Sequence, residues 1–78
     1  MIELKEVLSS IAKAIVDHPD EVTVSEEVSG STVNLTLSVA ESDMGMVIGR
    51  HGKIAKAIRS VMKAAANTVD KKVNVEIK

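Results

Sequence analysis

The sequence predicts a two-layer α+β domain, a three-stranded sheet covered on one face by three helices, in the order α-β-β-α-α-β. Two observations carry this. Apolar residues recur at helical spacing in two long stretches and a short one, and they alternate with polar residues in three others. Each alternating run has one apolar and one polar face, so a single helical layer over the apolar side completes a core. At 78 residues, 45% hydrophobic and 27% charged, the chain suits one small globular domain over residues 1–78, not a disordered or collagen-like polymer.

From Leu4 to Ile15 the residues Leu4, Val7, Leu8, Ile11 and Ile15 fall on one helical face, while Glu3, Glu6, Ser10, Lys13 and Asp17 face away. His18-Pro19-Asp20 ends this helix, because proline disfavours helical geometry before it and brings no N–H. The period then changes to two. Val22, Val24 and Val28 alternate with Thr23, Ser25 and Glu27, with Glu26 on the apolar side as a weak point. Ser29-Gly30-Ser31 is a turn, and Val33, Leu35, Leu37 and Val39 alternate with Asn34, Thr36 and Ser38, which makes a hairpin. Ser42 and Asp43 are expected to cap a short helix from Met44 to about Ile48, interrupted at Gly49 and Gly52. A longer helix follows, with Ile54, Ile58, Val61 and Ala65 as its buried stripe and Lys56, Arg59 and Lys63 opposite. Val73, Val75 and Ile77 alternate in a last strand of unspecified direction. Val22, Val24, Val33, Leu35, Leu37, Val39, Val73, Val75 and Ile77 are the expected floor of the core, and Leu8, Ile11, Ile15, Ile58 and Val61 its cover.

Composition narrows the function. There is no Cys, hence no disulfide and no thiolate nucleophile, and two His do not make a zinc finger. No apolar run approaches the ~20 residues that cross a bilayer, and Met1–Glu6 lacks the pattern of a signal peptide, so a cytoplasmic protein with no membrane partner is expected. The scattered acids Glu21, Glu26, Glu27 and Glu41 form no catalytic constellation, and no enzyme activity is expected. The formal net charge of −1 conceals a polarity: residues 1–43 carry two basic groups against nine acids, and residues 44–78 carry eight against two. Between Arg50 and Lys63 there are five positive charges and no negative one. Such a molecule can hold a polyanion on one side, or simply keep two opposite faces solvated.

The most informative stretch is Val47-Ile48-Gly49-Arg50-His51-Gly52-Lys53-Ile54. Glycine lets another backbone come close, and a helix starting after Gly52 presents unpaired N–H groups and its positive dipole end to the loop. With Arg50 and Lys53 beside it, the loop can grip strand phosphates. Rival nucleotide motifs fail. A P-loop and a dinucleotide fingerprint both need Gly where Val47 stands, and a P-loop needs Ser or Thr where Ile54 stands, so no cofactor is expected. The bland alternative is a helical corner in which Gly49 is only a C-terminal cap.

Ile48-Gly49-Arg50-His51-Gly52 resembles the I-G-x-x-G signature of K-homology (KH) domains, and the element order resembles their type II form. Asp17–Val22, the hairpin, Asp43-Met44-Gly45 and Ala55–Arg59 extend the likeness over the whole chain, which is similar to the small stand-alone KhpA-like proteins of bacteria. Two positions depart from the pattern. Ala55 stands where many KH domains have a branched residue, and Met46 where stand-alone members often have Lys. The resemblance implies single-stranded RNA binding without catalysis, about four nucleotides lying in a groove while the GxxG loop clamps the backbone.

The absence of any aromatic residue fits this, since RRM, cold-shock and OB modules stack bases on rings and this chain has none. The expected RNA-binding residues are Val47, Ile48, Gly49, Arg50, His51, Gly52, Lys53 and Lys56. Ile54 is expected in the core, His51 at the loop tip and His18 in a turn. A post-transcriptional regulator or RNA chaperone is the leading reading. The alternative is a protein-interaction adaptor on the same fold that binds RNA little or not at all. Ala57, Met62, Ala64 and Ala65 widen the apolar arc of the long helix, and this edge is the expected contact of a weak homodimer. The resemblance implies the same pairing, and a possible heterodimer with a Jag-type KH protein.

Overall fold

The computed structural model describes residues 3–49 and 52–78. Its elements are α1 (Leu4–Ile15), β1 (Thr23–Ser29), β2 (Thr32–Ser38), α2 (Glu41–Ile48), α3 (Lys53–Asn67) and β3 (Lys72–Ile77), with a short 3-10 turn at Pro19–Glu21. This is the predicted order. The sheet runs β1-β2-β3, with β2 antiparallel to β1 and parallel to β3. The parallel direction of β3 follows from the α2–α3 crossover, which returns the chain to the end of the sheet where β2 began.

The register separates two faces. Val24, Leu37 and Ile77 share one row, as do Glu26, Leu35 and Val75, and Val28, Val33 and Val73. The intervening rows, such as Glu27, Asn34 and Asn74, are polar, and Asn74 Nδ2 donates to Asn34 Oδ1 at 2.9 Å. The central strand buries Val33, Leu35 and Leu37, while the outer strands are half-buried at Val24, Val73, Val75 and Ile77. All nine expected floor residues belong to the core or pack against it. Glu26 points to the apolar face yet is exposed, and Val28, two residues on, is 55% exposed; both line an open cleft with Glu3 and Leu4 at the start of α1. An inward-facing charge on an edge strand also discourages pairing with another sheet.

The cover differs from expectation on α3. Leu4, Leu8 and Ala12 of α1 are buried, as are Ala55, Ile58, Met62 and Ala66 of α3. Val61, expected in the core, is 49% exposed, whereas Met62, expected at a dimer edge, is fully enclosed. The buried stripe is centred one position further along the helix than the branched residues suggest. Alanine at 55 and 66 lets α3 lie close to its neighbours, and the unbranched Met62 fills the space between. The predicted departure at Ala55 is thus a buried contact, 5% exposed.

Candidate nucleic-acid interface

The site is built on α2 and the start of α3, and α2 is held by a contact the sequence did not suggest. Asp43 does not cap the helix. Ala40 occupies the cap position without a side-chain bond, and α2 begins at Glu41. The Asp43 carboxylate, 2% exposed, turns instead to the end of α1, where it accepts from the Asp17 N–H at 3.2 Å and the His18 N–H at 3.1 Å. His18 Nδ1 lies 3.2 Å from the same Oδ2 and 3.3 Å from Ser42 Oγ. Desolvation pushes the Asp43 pKa up, but the Asp17 N–H, the His18 ring and N–H, and the His18 charge outweigh it. The carboxyl is held below its ordinary 3.8. His18 is therefore more than a turn residue, because it helps tie the α1–β1 connection to the helix that carries the loop.

Val47, expected among the RNA contacts, is 1% exposed and belongs to the core, so it anchors the last turn of α2 and lies outside the lining of the groove beside the loop. With Val47 inward, Met46 and Ile48 are left outward, 40% and 46% exposed. Gly49 ends the helix, and a Cβ there would collide with the Gly45 carbonyl oxygen. The demand for glycine at 49 is thus a close approach, not a left-handed backbone. Gly52 has the opposite reason: it precedes α3 with φ 63° and ψ 28°, a left-handed conformation that favours glycine. Its N–H donates to the Gly49 carbonyl at 2.7 Å and closes the loop. Arg50 and His51, both expected contacts, lie outside the described residues.

Beside the closed loop is a shallow groove of about 380 Å³ lined by Gly45, Met46, Gly49, Lys53 and Ile54. Gly45 and Met46 were noted only for the family likeness and not as site residues, although the four-residue spacing of Gly45 and Gly49 puts both on one face of α2. Ile54 is half-buried, packing against the core and lining the groove together. Met46 gives an apolar wall where a lysine would bring charge. Lys53, in the first turn of α3, stands on the rim, and Lys56 follows it one turn on, exposed. The ion pairs among the described residues are His18–Asp43 and Lys78–Glu76, so neither lysine is neutralised by a carboxylate.

Two helices joined through a GxxG loop, set between a β-hairpin and a parallel third strand, define a type II KH domain. Comparison with known proteins narrows the class. The KhpA/KhpB KH-domain model matches residues 5–77, and the chain belongs to that family. It is 55% identical to the RNA-binding protein KhpA of Clostridium acetobutylicum over 95% of this chain and 99% of that one. It is 43% identical to KhpA of Listeria monocytogenes, over 95% and 97%, and 41% identical to KhpA of Treponema pallidum, over 94% and 91%. Among solved structures, the crystal structure of a variant of Aquifex aeolicus Era matches with a TM-score of 0.71 over 95% of this chain at 15% identity. The likeness to Era is one of fold, and this chain spans 29% of that chain's length. Among the described residues, no helix is long and apolar enough to cross a membrane.

Proposed function

We propose that this protein binds single-stranded RNA as a non-catalytic module, with Gly49-Arg50-His51-Gly52 clamping the backbone and the adjoining groove supporting the bases. The observation that carries this reading is the groove itself. An apolar wall of Met46 and Ile54 adjoins the first turn of α3, with the Lys53 cation on its rim. The exposed N–H groups and positive dipole end of α3 add to the attraction for phosphate. Ile48, Gly49, Arg50, His51, Gly52, Lys53 and Lys56 are the contact residues, and Val47 positions them from the core. The relatives named RNA-binding protein KhpA support the assignment. The wider role that suits a non-catalytic RNA-binding module is that of a cytoplasmic post-transcriptional regulator or RNA chaperone.

The test is the pair of substitutions Arg50→Asp and His51→Asp, which put negative charge where a phosphate should sit. Binding to single-stranded RNA is lost, with the circular dichroism spectrum and melting point unchanged. Retained binding at physiological salt overturns the loop assignment.

A specific observation favours pairing as well. Ala57, Val61 and Ala64 lie together on the outer flank of α3, all exposed, Val61 by 49%. Small side chains let a second helix approach, so this flank, without the enclosed Met62 and the half-buried Ala65 that packs against the core, is the proposed contact of a weak homodimer that can exchange for a Jag-type KH partner. A single monomer mass in sedimentation at ~100 µM, well above a micromolar dissociation constant, overturns the homodimer.

A further inference from the structure

The positive charge does not end at the loop. Between Gly52 and Val75 the sequence holds Lys53, Lys56, Arg59, Lys63, Lys71 and Lys72 against one acid, Asp70. Lys56, Arg59 and Lys63 share a flank of α3, and Arg59 Nε reaches the Val75 carbonyl at 3.3 Å, which places this flank against edge strand β3. At the far end of the same seam is a second cleft of about 420 Å³, lined by Lys63, Ala66, Asn67, Lys71, Lys72, Val73 and Asn74. It shares no residue with the groove at the loop. Ten residues of helix separate Lys53 from Lys63, a rise of ~15 Å.

The cleft is built by the way α3 ends. Asp70 adopts φ 55°, the Asp70 N–H donates to the Asn67 carbonyl at 3.3 Å, and the Lys71 N–H donates to the Ala66 carbonyl at 3.0 Å. This pair of bonds closes the helix in a Schellman motif with Asp70 where glycine is usual. The sharp reversal brings Lys71 and Lys72 back beside Lys63, while Asp70 stays out of the lining. Among the described residues neither ion pair involves these three lysines. Three flexible point charges around a polar cleft suit phosphate oxygens and give no sequence preference.

We propose that this cleft is a second phosphate site, which takes backbone phosphates of the same RNA strand beyond the nucleotides held at the GxxG loop. The inference rests on the RNA-binding reading and lengthens it: the footprint exceeds the about four nucleotides of a KH groove. Lys56 and Arg59 supply the charge between the two sites.

The experiment compares oligouridines of about five and about twelve nucleotides, the first sized to the loop groove and the second long enough to reach the cleft. The unaltered protein binds the longer one more tightly and with a steeper salt dependence. Lys63→Gln, Lys71→Gln and Lys72→Gln together remove that gain, lower the salt slope for the long oligomer by about 2, at ~0.7 per phosphate on a single strand, and leave the short one unaffected. All three side chains are exposed, so the melting point stays in place. Lys63→Gln alone gives about a third of the change in slope, under one unit. A triple variant that keeps the length gain, or that weakens both oligomers equally, overturns the second site. The two readings fail separately, because the loop reading is overturned by short-oligomer binding that survives Arg50→Asp with His51→Asp.

Discussion

The two flanks of α3 carry different chemistry on either side of one buried stripe. On one flank Ala57, Val61 and Ala64 are apolar and exposed; on the other Lys56, Arg59 and Lys63 are basic and lie toward β3. Between them Ala55, Ile58, Met62 and Ala66 are enclosed. Fifteen residues of helix thus present three surfaces, and only the enclosed one is required for folding. A chain of this size with aliphatic side chains alone has little core to spare. Leaving a valine half outside and giving a whole flank to unneutralised cations is therefore informative. Surfaces that fold stability does not explain are candidates for binding, and α3 has two of them.

The comparison breaks first at its centre. Met62→Ala opens a cavity in the enclosed stripe and destabilises the domain by about 2–5 kcal/mol. At ~4–8 °C per kcal/mol the melting temperature falls by about 10 °C or more. Val61→Ala, one residue away, changes stability by no more than about 0.5 kcal/mol. Thermal unfolding of the two variants side by side checks the assignment, and equal losses would mean that the stripe is misplaced.

The next effect concerns the support of α2. The Asp43 carboxyl titrates below its ordinary 3.8, so the unfolded chain binds the proton more readily. Its contribution is present in full above the ordinary value and is lost as pH falls through the lowered one. Asp43→Asn gives up the charge and one acceptor for the Asp17 and His18 N–H groups. The variant melts lower at neutral pH, and its melting temperature changes less between pH ~4 and lower values than that of the unaltered protein. Parallel slopes in acid would show that another group accounts for the loss.

Much of this was legible in the sequence, and the failures share a cause. Alternation gave the strands and their inward residues correctly, because a one-residue slip in a strand moves every side chain to the wrong face. The α3 helix was legible in its extent but not in its rotation. Val61 looked more at home inside than Met62, yet the space between α3, α1 and the sheet accepts a long unbranched chain flanked by alanines. Asp43 near a helix start read as a cap, since its partner His18 lies 25 positions away and no local pattern announces it. At the loop, Gly49 and Gly52 were singled out by their spacing together with the order of elements around them and the likeness to KH domains, since two glycines three apart signal little by themselves. The groove wall was not, because Gly45 and Met46 sit inside a helix where glycine and methionine usually signal little. The direction of β3 was open too, as alternation is the same for a strand running either way.

Val61→Asp sharpens the contrast from the apolar flank. A carboxylate there is solvated in the monomer, so melting changes little, whereas across a helix–helix contact it meets its own copy. If this flank pairs two copies as proposed, sedimentation shows the variant as monomer at concentrations where the unaltered protein dimerises. The same substitution leaves the affinity for a short RNA unchanged. A dimer that survives it would move the interface off this flank.

The smallest effect comes from the basic flank, and it is the one that separates charge from shape. Lys56 is exposed, follows Lys53 by one turn and has no carboxylate partner among the described residues. If it neutralises one phosphate, Lys56→Ala lowers the slope of log affinity against log salt by ~0.7 on a single strand. A phosphate contact carries no base information, so RNAs of different sequence weaken by the same factor. Removal of the lysine stem uncovers no core, and melting stays where it was. Titrations of two unrelated oligomers at several salt concentrations read both quantities at once. A loss that depended on sequence would put Lys56 beside a base. A slope that did not move would leave the polyanion track to Lys53 and the loop, and the basic flank of α3 would then be only a solvated face.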